Sequence, residues 1–203
     1  MKFSKQFKKS FSYTWYMYLI AIILPSIVFP LSYSFMHRPK DYEKLVVFLP
    51  WDVENKNAKN ELFNDLKDTG IRSCEIVSCD ISEDEAIFND KFSVVGVNRC
   101  DLIVLPEEKL SPLGAFLVGL ELNSDVKEKC KIENENLYKH PEEEKYYAVE
   151  LPNESEIFKF GTKKNDVNYY AFLNAKSVNI GEYSKKSPHS ENAFELMKYA
   201  LGK

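Results

Sequence analysis

Trp51 and Asp52 follow one short apolar run, Leu45–Leu49, and Glu107 with Glu108 follows a second, Asp101–Leu105. Runs of this length, rich in β-branched residues and closed by Pro50 and Pro106, predict buried strands. In open α/β sheets, ligands bind beyond the carboxyl ends of the strands. Trp51, Asp52 and Glu107 are therefore candidate ligand-binding residues. An aromatic plate beside two carboxylates suits a sugar or a cationic solute. The competing reading is structural: Asp52 caps the helix that follows, and Trp51 packs on the linker or on a bilayer.

The other chemistry-bearing residues point to no reaction. Cys74, Cys79, Cys100 and Cys130 are even in number, and the export argued below makes disulfides chemically allowed. Cys74 and Cys79 fall on opposite faces of a regular strand, so Cys79–Cys100 or Cys74–Cys100 is a better pairing than one within that strand. Buried free thiols are the alternative. No C-x2-C or His pair accompanies them, so no metal site is expected. His37, His140 and His189 lie in polar linkers or loops, away from any nucleophile motif. With only 7 Gly, a glycine-dense phosphate-binding fold is not expected. The chain is read as a non-enzyme with no catalytic residues and no cofactor. Glu142–Glu144 reads as a solvated run, and Asn153-Glu154-Ser155 matches a glycosylation sequon.

The elements that position these residues divide into an anchor and a domain. Residues 11–36 contain 26 residues without one charge. A helix needs about 20 apolar residues to cross a bilayer core, and backbone in lipid must satisfy itself internally. Tyr13, Trp15, Tyr16 and Tyr18 at one end, and Tyr33 and Phe35 at the other, match interfacial aromatic belts. Pro25 and Pro30 predict a kink near the first and an early end at the second. Lys2, Lys5, Lys8 and Lys9 precede the span with no acidic residue among residues 1–36. That bias predicts a cytoplasmic N-terminus and an extracytoplasmic domain in a single-pass cell-membrane protein. A cleaved signal peptide is the rival reading of the same segment.

The predicted organisation is a basic tail at 1–10, a signal-anchor helix at 11–36, a juxtamembrane linker at 37–43 and an α/β domain at 44–203. After residue 36 the chain holds 23 basic and 31 acidic residues, a net of −8, which excludes nucleic acid as a partner. Within the domain, strands are predicted at 45–49, 71–79, 101–105, 146–151, 157–160 and 169–173, with a weaker extended segment at 92–97. Helices are predicted after Asp52 (with Ala58, Leu62, Phe63 and Leu66 on one face, stopped by Gly70), at 80–90, in part of 110–122, and at 191–201 behind Ser190. Residues 123–145 read as a loop or solvated helix. Early strand–helix alternation with fully apolar strands predicts a three-layer α/β sheet.

This order resembles one lobe of the type II extracellular (periplasmic) solute-binding proteins. The matching pieces are Leu45–Leu49 with Trp51-Asp52, the strand Cys100-Asp-Leu-Ile-Val-Leu-Pro106, Tyr146-Tyr-Ala-Val-Glu-Leu-Pro152, and Phe172-Leu-Asn-Ala-Lys-Ser177 followed by Asn192–Tyr199. The resemblance implies a ligand-facing edge beyond Pro106. The family's second lobe has no room here, because only 17 residues (152–168) separate Leu151 from Tyr169. None of the cysteines lies near the N-terminus, where relatives carry a lipid anchor. The resemblance therefore implies a one-lobe, membrane-anchored binding or accessory module, with the bilayer contacted through 11–36 and a transporter or other membrane protein as partner. The second reading is a structural or envelope-assembly membrane protein with no small-molecule ligand.

Overall fold

The apolar runs are strands, and both of their faces are covered. The computed structural model describes residues 3–81, 84–133, 135–140, 143–161, 166–185 and 190–203, with side chains from residue 14 onward. In chain order the elements are α1 (Phe3–His37), β1 (Lys44–Leu49), α2 (Ala58–Leu66), β2 (Ser73–Ser78), α3 (Glu85–Lys91), α4 (Val97–Arg99), β3 (Leu102–Pro106), α5 (Glu107–Leu110), α6 (Ala115–Val118), α7 (Ser124–Cys130), β4 (Leu137–Lys139), β5 (Tyr146–Glu150), β6 (Tyr169–Leu173) and α8 (Asn192–Ala200). They fall into two units, one ending at Pro39 and one starting at Lys40.

In the first unit, α1 is one helix of 35 residues. Its segment Thr14–His37 is long and apolar enough to cross a membrane. The apolar side chains are exposed on every side, from Leu19 at 40% to Phe35 at 81%. A helix that is apolar all round needs apolar surroundings. The early end expected at Pro30 does not occur. Each proline removes one backbone donor, and the remaining ladder carries the helix to His37. Ser26 Oγ donates to the Ile22 carbonyl at 2.7 Å within the same stretch.

The second unit is built on a six-stranded mixed sheet of order β2-β1-β3-β6-β5-β4. β1 is parallel to β2, with Lys44 opposite Ser73 and Leu49 opposite Ser78, and parallel to β3. β6 returns antiparallel beside β3, with Leu102 opposite Leu173 and Pro106 opposite Tyr169. β5 and β4 complete the antiparallel side. Side chains alternate along each strand. Leu45, Val47, Leu49, Leu102, Val104, Ala171 and Leu173 face one core with α2, α7 and α8. Val46, Phe48, Ile103, Leu105, Tyr170 and Phe172 face the other with α3, α5 and α6. The crossover helices α2 and α3 thus lie on opposite faces. The strand order reverses at β1, which makes the ends of β1 and β3 a switch point.

Local chemistry explains the boundaries. Asp84 caps α3 by accepting from the amides of Ala86 (2.8 Å) and Ile87 (3.1 Å). Gly70 ends the turn after α2 at φ 85°, a left-handed geometry that favours glycine. Ser190 Oγ accepts from the Asn192 amide at 3.2 Å, just before α8.

Three expectations are corrected. Residues 92–96 form a π-helical turn running into α4, not an extended segment. Phe92 and Gly96 are buried while Val94 between them is 66% exposed, the spacing of a helical turn and not the alternation of a strand, and Phe92 meets Phe48 edge-on at 5.9 Å. Glu156–Phe160 is a 3-10 turn that buries Ile157 and Phe160 three residues apart. The stretch 123–145 contains α7, with Val126 and Cys130 buried one turn apart, and the edge strand β4.

Candidate functional site

The carboxyl edge of β1 and β3 holds the three residues singled out by sequence, in different environments. Trp51 is buried at 3% exposure. Its indole meets Tyr169 edge-on at 5.2 Å and Phe158 at 5.6 Å. Gly161 closes over it: a Cβ there would stand 2.4 Å from Trp51 Cδ1 and 2.3 Å from the Asp52 carbonyl oxygen. Only glycine gives that approach. The Trp51 Nε1–H has no hydrogen-bond partner among the described residues. Trp51 is therefore a wall of the core and not an open plate. Asp52 and Glu107 are exposed. Asp52 does not cap α2, which begins behind Asn57. The Glu107 amide donates to the Asn168 carbonyl at 3.0 Å, tying α5 to the start of β6.

Beside this aromatic cluster lies a cleft of about 340 Å³, lined among others by Glu135, Asn136, Glu150, Asn168, Phe158 and Tyr169. Asn136 Nδ2 donates to Glu150 Oε2 at 2.5 Å. Glu135 pairs with Lys203 and accepts from the Glu133 amide at 2.7 Å. Burial raises the Glu135 carboxyl, but the Lys203 hydrogen bond and the backbone amides outweigh it and hold the group below its ordinary value. The cleft offers carboxylates, amides and aromatic surface, the groups that recognise polyols and cations. Its residues come from the α7–β4 connection and the β5–β6 side. Trp51, Asp52 and Glu107 are not among the residues that line it.

The amino edge of the same strands holds a second cluster that sequence reasoning missed. Asp101, Asn174, Ser177 and Asn179 are all buried there. The Asp101 carboxylate is 4% exposed. It accepts from the Val46 amide at 2.8 Å, Ser177 Oγ at 2.5 Å and Asn179 Nδ2 at 3.0 Å. Burial pushes its carboxyl up to about 6, because desolvation outweighs those three hydrogen bonds. Asn174 Nδ2 donates to the carbonyls of Cys100 (2.8 Å) and Val97 (2.9 Å), and its Oδ1 accepts from the Lys176 amide (2.9 Å). Asn179 Nδ2 also donates to the Lys44 carbonyl at 2.8 Å, while its Oδ1 is buried without a partner among the described residues. The only sequence signal was a lone acid ahead of an apolar strand and a polar Asn-x-x-Ser-x-Asn run after another.

None of the four cysteines is in a disulfide, so neither Cys79–Cys100 nor Cys74–Cys100 is bridged. β1 lies between β2 and β3. Two strand spacings, about 10 Å, exceed the reach of a disulfide. Burial pushes Cys74, Cys100 and Cys130 up to about 12, away from the nucleophilic thiolate form. His37 stacks on Tyr33 in α1. His140 sits edge-on to Phe116 at 4.5 Å, with its Nδ1 accepting from the Glu143 amide at 3.0 Å. His189 and Glu142 lie outside the described residues. Among the described residues no group of three His, Cys, Asp or Glu is placed to hold a metal ion. In the sequon, Ser155 is buried and donates to the Ala200 carbonyl at 2.5 Å.

No protein-family model, curated protein or solved structure matches the chain.

Proposed function

We propose that the chain is a single-pass, membrane-anchored binding or accessory module. α1 crosses the cell membrane with its N-terminus in the cytoplasm. The α/β unit is extracytoplasmic and serves a transporter or another membrane protein. Its carboxyl-edge cleft receives a small polar solute, a sugar or a cation, between Glu135, Glu150 and the Phe158–Tyr169 surface. The one-lobe likeness to solute-binding proteins belongs to this same reading.

The observation that carries it is α1: its apolar side chains are exposed on all sides, in a chain whose other unit closes its own two cores. The lysine excess before the span supports the orientation. The cleft's mix of carboxylate, amide and aromatic groups supports the ligand class.

The test has two parts. Protease added to intact cells should digest the α/β unit and leave α1 in carbonate-washed membranes. Extraction of the whole chain by carbonate would reject the anchor, and protection of the α/β unit would reject the orientation. A thermal-unfolding screen of the detergent-solubilised full chain against sugars and cationic solutes should then find stabilisation that Glu150→Gln weakens. A screen with no stabilising solute would reject the binding role.

A further inference from the structure

The amino edge of the sheet contains a cavity of about 300 Å³ that the carboxyl-edge reading does not use. Asp101 lines it, together with Asp41, Lys44, Glu75, Arg99 and Lys176. Most of these charges are already matched. Arg99 pairs with Glu75 at 3.2 Å, and Lys44 with Asp41 at 4.0 Å. Two are not. Asp101 accepts only from neutral donors, and no cation lies within ion-pair distance of it among the described residues. Lys176 is exposed at the rim, and its ammonium likewise has no ion-pair partner among the described residues.

The cavity therefore keeps one unmatched anion, nearly sealed from water, and one unmatched cation at its mouth. A buried carboxylate without a counter-ion is costly to maintain. A carboxylate has roughly four lone-pair sites, and three donors leave room for one more. The group that completes the site is an N–H-bearing cation. Lys176 asks for an anion on the same molecule. A ligand with both leaves the net charge unchanged while matching both groups.

The place of the cavity in the chain adds a source. Asp41 and Lys44 follow His37, the last residue of α1, by four and seven residues. A bilayer crossed by α1 presents headgroups within a short length of chain from these rim residues.

We propose that this cavity binds a small zwitterion, its primary ammonium donating to Asp101 and its anionic group pairing with Lys176. Two sources share this chemistry: the phosphoethanolamine headgroup of a membrane lipid, and a free amino acid. A quaternary ammonium carries no N–H. It cannot make the Asp101 hydrogen bond and should bind at least about tenfold more weakly, as sites built around a donor reject analogues lacking it.

The experiment uses the full chain in maltoside micelles, followed by thermal unfolding. The probes are glycerophosphoethanolamine, glycerophosphocholine and glycine, followed by nanodiscs of phosphatidylcholine with and without phosphatidylethanolamine. A saturable rise in Tm with glycerophosphoethanolamine, weak with the choline analogue and reduced in Lys176→Gln, supports the site. Stabilisation by phosphatidylethanolamine nanodiscs that Lys176→Gln removes assigns the ligand to the membrane. Saturation by glycine at lower concentration assigns it to solution. Asp101→Asn should abolish the response. If that variant does not fold, Lys176→Gln decides alone, because its side chain is exposed. No saturable shift with any primary-ammonium probe, an equal response to the choline analogue, or an undiminished response in Lys176→Gln overturns the proposal.

Discussion

The two edges of the sheet are built from the same strands but keep their polar groups differently. At the carboxyl edge, Asp52 and Glu107 are exposed, and the cleft carboxylates Glu135 and Glu150 already have partners. At the amino edge, Asp101 and the three polar residues around it are buried, and among the described residues no cation lies within ion-pair distance of the carboxylate. The sheet between them is apolar on both faces. Solvated charges tolerate change because water replaces what is lost. Buried ones do not, because an abandoned donor or acceptor keeps its full desolvation cost. Sensitivity should therefore concentrate where polar groups are hidden or where backbone approaches closely.

The largest effect should come from the one place where the carboxyl edge is tightly packed. Gly161→Ala forces a Cβ onto the Asp52 carbonyl and the Trp51 ring, and should lower stability by about 3 kcal/mol in urea unfolding. A neutral result would break the view of Trp51 as a fixed wall.

Next comes the pH dependence of the amino edge. The folded-state value of Asp101, about 6, lies above its ordinary 3.8, so the folded chain binds the extra proton. The favourable contribution is complete below about pH 4, declines between pH 4 and 6, and is gone above that, an upper limit of about 3 kcal/mol. Other carboxylates act in the opposite direction: the Lys159 hydrogen bond lowers Asp65, and the Tyr183 hydrogen bond lowers Asp125. The difference between wild-type and Asp101→Asn unfolding curves from pH 4 to 7 isolates the Asp101 contribution. An unchanged slope would refute it.

Asn174→Ala strips donors from the carbonyls of Cys100 and Val97, and should cost about 2 kcal/mol by chemical denaturation. At the opposite edge, Glu150→Gln should stay within about 0.5 kcal/mol in the same assay. Equal costs for these two would erase the contrast between the edges.

How far the sequence could be read follows the same physics. β1, β3 and β6 were legible because each is apolar on both faces, a pattern local to five or six residues. The end of α2 was legible at Gly70. The turn at 92–96 was misread because Val94 and Val95 favour strands, while the deciding contact, Phe92 on Phe48, is made from a distant strand. Ile157-Phe-Lys-Phe160 looks alternating, but its buried pair is spaced for one tight turn. α7 shows only two buried residues, too thin a stripe to separate from a solvated helix. The Asp101 cluster was invisible because its partners Ser177 and Asn179 lie 76 and 78 residues away. The carboxyl edge could be located by a general rule about strand ends. The residues lining its cleft could not, because they belong to the antiparallel side.

The position of β6 sets an order of manufacture. It lies between β3 and β5 in the sheet, yet its residues, 169–173, are made after both of those neighbours. Until they emerge, one hydrogen-bonding flank of β3 has no neighbour, and Asp101 lacks the hydroxyl and amide that later enclose it. A nascent chain cut short before residue 173 therefore ends with an open ribbon edge, the kind of surface that pairs with other chains. Of the six strands in this sheet, a central one is supplied last.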